Sequence, residues 1–196
     1  MKILHITPRL HIGGAEIVVK DLALLAKKAG QKVSILTFSE ANNHIVDELL
    51  MHDIPLIQLP HKSPYSPKSL MFFLNHFREQ SYDIIHTHMP LRHKYLTFLN
   101  YFKPLPLITT EHVDKYLKVA TNHFYRWIYR QYQKVILCSH DMQNFMLNYM
   151  PDLLTTSRVI HNGIEHARFN PITTTNRNPL KAITLSRLDK QKDLIT

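Results

Sequence analysis

The chain has 196 residues, of which 44% are hydrophobic, and this length holds one domain with its own core, or one domain and a fragment. No apolar run is long enough to span a bilayer, and the sequence opens on a strand pattern instead of a signal peptide. The single cysteine, Cys138, excludes an intrachain disulfide framework, so we expect a cytoplasmic protein in which Cys138 is a small buried core residue.

The net charge of +9 is concentrated in one region. Residues 84–140 carry eight Lys or Arg against two acids, and aromatic residues are interleaved with them. This pattern suits an anionic membrane surface, and it is equally typical of a solvated basic face on amphipathic helices. No helix-turn-helix, zinc-finger or RNA-recognition signature occurs, so we expect no nucleic-acid partner.

The first predicted elements are a buried strand at 3–6 and a helix at 15–29, joined by a turn that contains Gly13 and Gly14. Glycine permits a positive φ and a close approach to the main chain, and the N-terminus of a helix attracts anions. Gly13 and Gly14 are therefore candidates for binding a phosphate group, although a plain tight turn would use the same residues.

The helix at 15–29 shows an apolar stripe and a clear stop signal. Gly30 follows the last turn, as expected of a C-terminal cap. The residues that we predict to face the core are Val18, Leu22, Leu25 and Ala29.

Strand and helix patterns then alternate along the chain. Further strands are predicted at 32–37, 55–59, 83–87, 106–110, 134–139 and 158–161, and further helices at 43–52, 67–79, 90–101, 122–133 and 140–149. This alternation predicts an α/β fold, namely a Rossmann-like parallel sheet with helices on both faces. Ligands bind such sheets at the carboxyl ends of the strands, which selects His88, Glu111, His112, Asn162 and Gly163 as candidate site residues.

The domain organisation changes near residue 172. Residues 1–171 form the predicted first domain, and the polar stretch at 172–180 reads as an interdomain linker. Residues 181–196 contain a strand pattern and the beginning of a helix, which we interpret as the truncated start of a second domain.

Three nearby histidines invite a metal-site interpretation. His86 and His88 project to the same side of one strand, and His93 follows. Because no cysteine or acid stands at ligand spacing, we expect no metal, with His86 in the core and His88 lining a cleft.

Five blocks of sequence in this order resemble the nucleotide-sugar-dependent glycosyltransferases of family 4, which have the two-domain GT-B architecture. The blocks lie at 6–16, 83–88, 109–112, 159–171 and 185–192. The resemblance covers nearly all of this chain but only about half of a GT-B enzyme. It implies an N-terminal, acceptor-side domain, with the donor held mainly by a C-terminal domain and the reaction in the cleft between them.

The resemblance also implies roles for individual residues. His112 is the expected catalytic residue, in contact with the transferred sugar or its phosphate, and His88, Glu111, Asn162 and Gly163 line the cleft. No cofactor and no metal are expected, since the nucleotide sugar is a substrate. The residues expected to bind the donor diphosphate are Gly13, Gly14, Arg187 and Lys192.

The predicted function is transfer of a sugar, with retention, from a nucleotide-diphosphate sugar to a glycan or lipid-linked acceptor of the cell envelope. The paired glutamates of the family's donor domain are absent up to Thr196, so the chain alone is expected to be inactive. The alternative is a non-catalytic subunit that binds acceptor or docks on the inner face of the membrane and needs a donor-domain partner.

Overall fold

The computed structural model describes residues 1–39, 43–60, 66–88, 94–112 and 123–164. All but one of these residues belong to the compact unit Met1–Gly163, and Ile164 begins a second unit. The rest of that second unit lies outside the described residues, as do the predicted linker, the predicted start of a second domain, Arg187 and Lys192.

The seven strands and six helices predicted for the first domain are confirmed, whereas the strand pattern within 181–196 lies outside the described residues. The strands are β1 (Lys2–Thr7), β2 (Lys32–Thr37), β3 (Leu56–Gln58), β4 (Ile84–His88), β5 (Leu107–Glu111), β6 (Lys134–Leu137) and β7 (Ser157–Val159). The helices are α1 (Gly14–Lys28), α2 (His44–Met51), α3 (Pro67–Glu79), α4 (Lys94–Phe102), α5 (His123–Arg130) and α6 (His140–Tyr149). A 3₁₀ turn at Pro151–Leu154, which no sequence pattern indicated, leads into β7.

The strands form one parallel sheet in the order β3-β2-β1-β4-β5-β6-β7. The chain therefore builds outward from β1 in one direction and then from β4 in the other. The point where the strand order reverses lies between β1 and β4, and a crevice forms there at the carboxyl edge of such sheets.

Helices cover both faces of the sheet, as predicted. Val33 and Ile35 of β2 pack in a cluster with residues of α1 and α2, whereas Leu36 belongs to a second cluster with residues of α3 to α6. Alternate side chains of a strand project to opposite faces, so the two clusters are the two layers of the core. No helix among the described residues is long and apolar enough to cross a membrane.

The buried face of α1 differs from the predicted stripe. Leu22 and Leu25 are exposed, at 37% and 62%. The buried positions of the helix are instead Glu16, Val19, Lys20 and Ala23. The buried Lys20 ammonium lies 2.9 Å from carboxylate oxygens of both Asp21 and Glu48. The prediction placed only apolar residues on the buried face of the helix. Because it therefore left out Lys20, it selected the wrong face.

The end of α1 confirms the predicted stop at Gly30. Gly30 has a φ of 77°, the left-handed region that favours glycine. Its N–H donates to the carbonyl of Lys27 at 2.9 Å, and the N–H of Gln31 donates to the carbonyl of Ala26 at 3.0 Å. These two bonds are the Schellman arrangement, which satisfies carbonyls at the helix end.

Candidate functional site

The candidate site lies at the carboxyl edge of the sheet, around the reversal point between β1 and β4. His5 of β1 is in register with His86 of β4, and His88 is in register with Thr110 of β5. Register partners in parallel strands project to the same face, and so do residues two apart in one strand. These four side chains therefore share one face of the sheet.

A line of imidazoles connects the core to the edge. His5 Nδ1 lies 3.3 Å from His88 Nε2, and His88 Nδ1 lies 3.0 Å from His112 Nε2. His86 lies beside this line, with its Nε2 2.8 Å from the hydroxyl of Thr110. His5, His86 and His88 are buried and His112 is partly exposed, so only the last imidazole of the line can meet a ligand at the surface.

Burial disfavours the charged form of His5, His86 and His112. It lowers the pKa of His5 to about 4 and holds the pKa of His86 well below its usual range. Burial also lowers the pKa of His112, an effect that the carboxylate of Glu16 partly opposes. Near pH 7, His112 is therefore a neutral imidazole that can donate one hydrogen bond and accept another.

Cys138 and Asn162 complete the surroundings of His112. The Cys138 thiol donates to the carbonyl oxygen of Glu111 at 3.2 Å, and its sulfur lies 3.9 Å from His112 Nδ1 and 3.4 Å from Asn162 Oδ1. The structure thus brings the predicted residues His88, His112 and Asn162 together, with exposed Gly163 next in the chain. Cys138 is half-buried at this edge, whereas the sequence placed it in the core.

Burial raises the pKa of the Cys138 thiol, with a further contribution from Glu111. The group therefore stays protonated near pH 7, and a protonated thiol is not a nucleophile.

The Glu111 side chain is in the core, which differs from the prediction that it lines the cleft. Its carboxylate is fully buried and accepts a hydrogen bond of 2.8 Å from the hydroxyl of Tyr129 on α5. The side chain of the last residue of β5 points to the face opposite that of His112, because side chains alternate along the strand. Burial and the neighbouring Glu111 raise the pKa of Tyr129 well above its usual range, so the phenol remains a donor.

Gly13 and Gly14 begin α1 at the same edge, but neither has the positive φ that the sequence suggested. Gly13 has an extended φ of −170°, and among the chain's four glycines only Gly30 has a positive φ. A Cβ on Gly13 would overlap the carboxylate of Glu16, so the close approach at this glycine is made by a side chain of the same helix. No side chain caps the N-terminus of α1.

Three buried imidazoles could in principle hold a divalent cation. His5, His86 and His88 offer ring nitrogens that all lie within 4.8 Å of one another. His86 and His88 belong to the trio that the sequence singled out, but the third member is His5, since His93 lies outside the described residues. The hydrogen bonds from His5 to His88 and from His86 to Thr110 already use nitrogens of this group.

Sequence reasoning missed three residues of the site, namely His5, Glu16 and Cys138. His5 stands inside an apolar strand, and its partner His88 is 83 residues away, so no local spacing connects them. Glu16 is an acid in the first turn of α1. Its position three residues after Gly13, where it can reach back to the helix start, was the available signal.

The sequence of the chain matches a known protein family. The sequence pattern of Glycosyltransferase Family 4 matches residues 12–168, which include Gly13, Gly14, His88 and His112. No curated protein matches the sequence closely.

Several solved glycosyltransferases share the fold. HepE of Anabaena, in complex with UDP-glucose, aligns with a TM-score of 0.64 at 21% identity over 85% of this chain and 45% of HepE. A glycosyltransferase of Rickettsia africae aligns with a TM-score of 0.60 at 19% identity over 89% of this chain and 46% of its own. The lipopolysaccharide outer core galactosyltransferase WaaB aligns with a TM-score of 0.63 at 14% identity over 84% and 46%.

The chain spans slightly less than half the length of these structures. Its parallel sheet and covering helices have the fold of the N-terminal domain of a GT-B glycosyltransferase. Because the family pattern covers most of the sequence, the chain belongs to glycosyltransferase family 4.

Proposed function

We propose that this chain is the acceptor-side half of an enzyme that transfers a sugar from a nucleotide-diphosphate sugar to a glycan or lipid-linked acceptor, with retention at the anomeric carbon. One observation carries the proposal. His112 is the exposed end of a buried line of imidazoles, at the edge of the sheet where α1 begins without a side-chain cap. The chain alone is inactive in this proposal, since it spans less than half of the related structures.

The reaction requires stabilisation of negative charge on the departing diphosphate. The free N–H groups and the dipole at the start of α1, around Gly13 and Gly14, would supply part of it. Arg187 and Lys192, which the family resemblance assigns to the same diphosphate, would supply the rest. In this proposal the side chains of Arg187 and Lys192 take the place that a metal ion would have at the diphosphate.

His112 would contact the sugar or its phosphate as a neutral donor of a hydrogen bond. The lowered pKa of His112 supports this role, because a neutral imidazole orients a ligand without adding charge. Asn162 and Gly163, which are exposed, would line the cleft around it, with the buried His88 behind His112. HepE was crystallised with UDP and with UDP-glucose, and WaaB is a galactosyltransferase of the lipopolysaccharide outer core. Those relatives motivate a UDP-hexose as the first donor and an envelope glycan as the first acceptor to test, with the reaction in the cytoplasm.

The test is a transfer assay with the protein at its native length. Labelled UDP-hexoses are incubated with membrane extracts of the source cells, and the labelled glycan is measured. We expect transfer by the wild type and a loss of about 100-fold or more in His112→Ala and Arg187→Ala, the size expected when a donor to developing charge is removed. His123→Asn, at an exposed position of α5, is the matched control and should retain activity.

Absence of transfer from every common nucleotide sugar would contradict the proposal. Activity that arises only when a separate donor-domain protein is added would instead establish the alternative, a non-catalytic subunit.

An anionic membrane is the partner that we propose for α3 and α4. Arg126 and Arg130 of the basic region both contact Asp152, at 3.9 and 2.5 Å, so part of that charge is already neutralised. Lys115 and Lys118 lie outside the described residues. A cavity of about 410 Å³ between α3 and α4 combines exposed Met71 and Leu74 with the cations Arg78 and Lys103, a combination suited to acyl chains beneath anionic headgroups.

Sedimentation with vesicles tests this partner. We expect binding to vesicles that contain the anionic lipid phosphatidylglycerol, and release by high salt. Met71→Gln combined with Leu74→Gln should abolish it, whereas Leu25→Gln, at an exposed leucine of α1, should not. Equal binding to uncharged vesicles, or no binding at all, would refute the membrane as a partner.

A further inference from the structure

His88 has both ring nitrogens engaged by other histidines, an arrangement that the proposed reaction does not by itself explain. Its Nε2 faces His5 Nδ1 at 3.3 Å and its Nδ1 faces His112 Nε2 at 3.0 Å. His88 is 1% exposed, so a ligand at the surface meets His112 and not His88.

The hydrogen bonds along a line of neutral imidazoles must all point the same way. Each neutral ring carries one N–H and one acceptor nitrogen, so the protons can point from His5 toward His112 or the reverse. In the first case His112 Nε2 accepts from His88 and the proton of His112 is on Nδ1. In the second case His112 donates from Nε2, and the last proton of the line lies on Nε2 of His5.

The surroundings of the two ends favour the first case, in which the N–H groups point from His5 toward His112. At the outer end, the Cys138 thiol lies 3.2 Å from the carbonyl oxygen of Glu111, which can only accept. The S–H therefore points to that carbonyl, and the sulfur remains as an acceptor for His112 Nδ1 at 3.9 Å. At the inner end, Nε2 of His5 is buried and has no hydrogen-bond partner among the described residues. A proton there would be an orphaned buried donor, which proteins rarely tolerate.

We propose that His88 is a positioning residue that donates its Nδ1–H to His112 Nε2, and thereby fixes His112 as the tautomer with its proton on Nδ1. His5 supports this tautomer by donating to His88. The weak contact of His112 Nδ1–H with sulfur is easily exchanged for a better acceptor, such as an oxygen of the sugar or phosphate. That last step rests on the proposed function, whereas the tautomer itself does not.

The proposal agrees with the neutrality of the histidines. Burial lowers the pKa of His5 to about 4 and also lowers the pKa of His112, so neither ring is doubly protonated near pH 7. A second proton on His112 would occupy Nε2, where it would meet the N–H of His88. The line therefore makes His112 a fixed donor of a hydrogen bond and a poor general acid.

Long-range ¹H–¹⁵N correlation spectra of the ¹⁵N-histidine-labelled chain read the tautomer of each ring directly. In the wild type we expect His88 and His112 to carry their protons on Nδ1. His88→Leu should convert His112 to a mixture in which the Nε2–H form is prominent, as in free neutral histidine. His88→Asn, whose amide N–H₂ stands near the position of Nδ1, should restore the wild-type tautomer. His76→Asn is the matched control, because His76 of α3 contacts Tyr82 and not the line.

Two results would overturn the proposal: an Nε2–H tautomer of His112 in the wild type, or an unchanged tautomer in a folded His88→Leu variant. Stoichiometric binding of Zn²⁺ through His5, His86 and His88 would also overturn it, because the nitrogens of the line would then be metal ligands.

Kinetics of the native-length enzyme separate this inference from the proposed function. His88→Leu should lower kcat by about 10- to 100-fold, a typical loss for a misplaced group, with little change in the KM of the donor, and His88→Asn should recover most of it. If the wild type shows the expected tautomer but transfers no sugar, the proposed function fails and the positioning role stands.

Discussion

Protonation of the buried His5 opposes folding. His5 is 3% exposed, and burial lowers its pKa from 6.5 to about 4. Between these two pH values the unfolded chain binds more protons than the folded chain, so stability must fall as the pH falls from 6.5 to 4. The shift corresponds to a loss of about 3 kcal/mol in the free energy of unfolding, which urea denaturation at pH 7, 5.5 and about 4 would measure.

His5→Leu should reduce this dependence on pH. It should not abolish it, because the buried His86 also has a pKa well below its usual range and contributes in the same direction. The exposed His123 provides the control, and His123→Asn should leave the slope unchanged. An equal slope in His5→Leu and the wild type would show that His5 is not the group responsible.

The sequence predicted His88, His112 and Asn162 because each follows or ends a strand, and the carboxyl ends of parallel strands meet. It could not predict the line of imidazoles, because that line depends on the register of β1 against β4. Glu111 shows the limit of the same rule. The rule locates a residue at the edge, but the alternation of side chains decides which face it occupies, and Glu111 faces the core.

Helix α1 has glycines at both ends, and they should respond oppositely to alanine. Gly30 has a φ of 77°, so Gly30→Ala should destabilise the chain by about 1 kcal/mol. Gly14 is the first residue of the helix and a Cβ there meets no atom within 4 Å, so Gly14→Ala should stabilise by up to about 1 kcal/mol. Thermal and urea unfolding measure both effects.

The two substitutions are expected to change the free energy of unfolding in opposite directions. Destabilisation by Gly14→Ala would mean that the first turn of α1 differs from the one described here. Gly14→Ala could instead be as stable as the wild type and yet bind nucleotide more weakly. In that case the ligand approaches the main chain of Gly14 too closely for a Cβ, which would account for a glycine at this position.

At the scale of the whole molecule, alternating patterns of strand and helix were sufficient to predict the parallel sheet and its two helical layers. The turn signals located both ends of α1 to within one residue. Its buried face was predicted wrongly, because Lys20 is buried with an ion pair to Glu48 that only the contact between α1 and α2 creates. The ends of this helix were thus readable from the sequence, whereas its contact with a distant element was not.

The central claim is that the edge between β1 and β4 binds the diphosphate of a nucleotide sugar. The most direct test is a titration of the ¹⁵N-labelled chain with UDP, followed by amide and histidine side-chain shifts. We expect saturable changes centred on Gly13, Gly14 and His112, and none at the distant α3 residues Met71 and Leu74. A titration that leaves the start of α1 and His112 unperturbed, or that shifts a different surface, would contradict the claim.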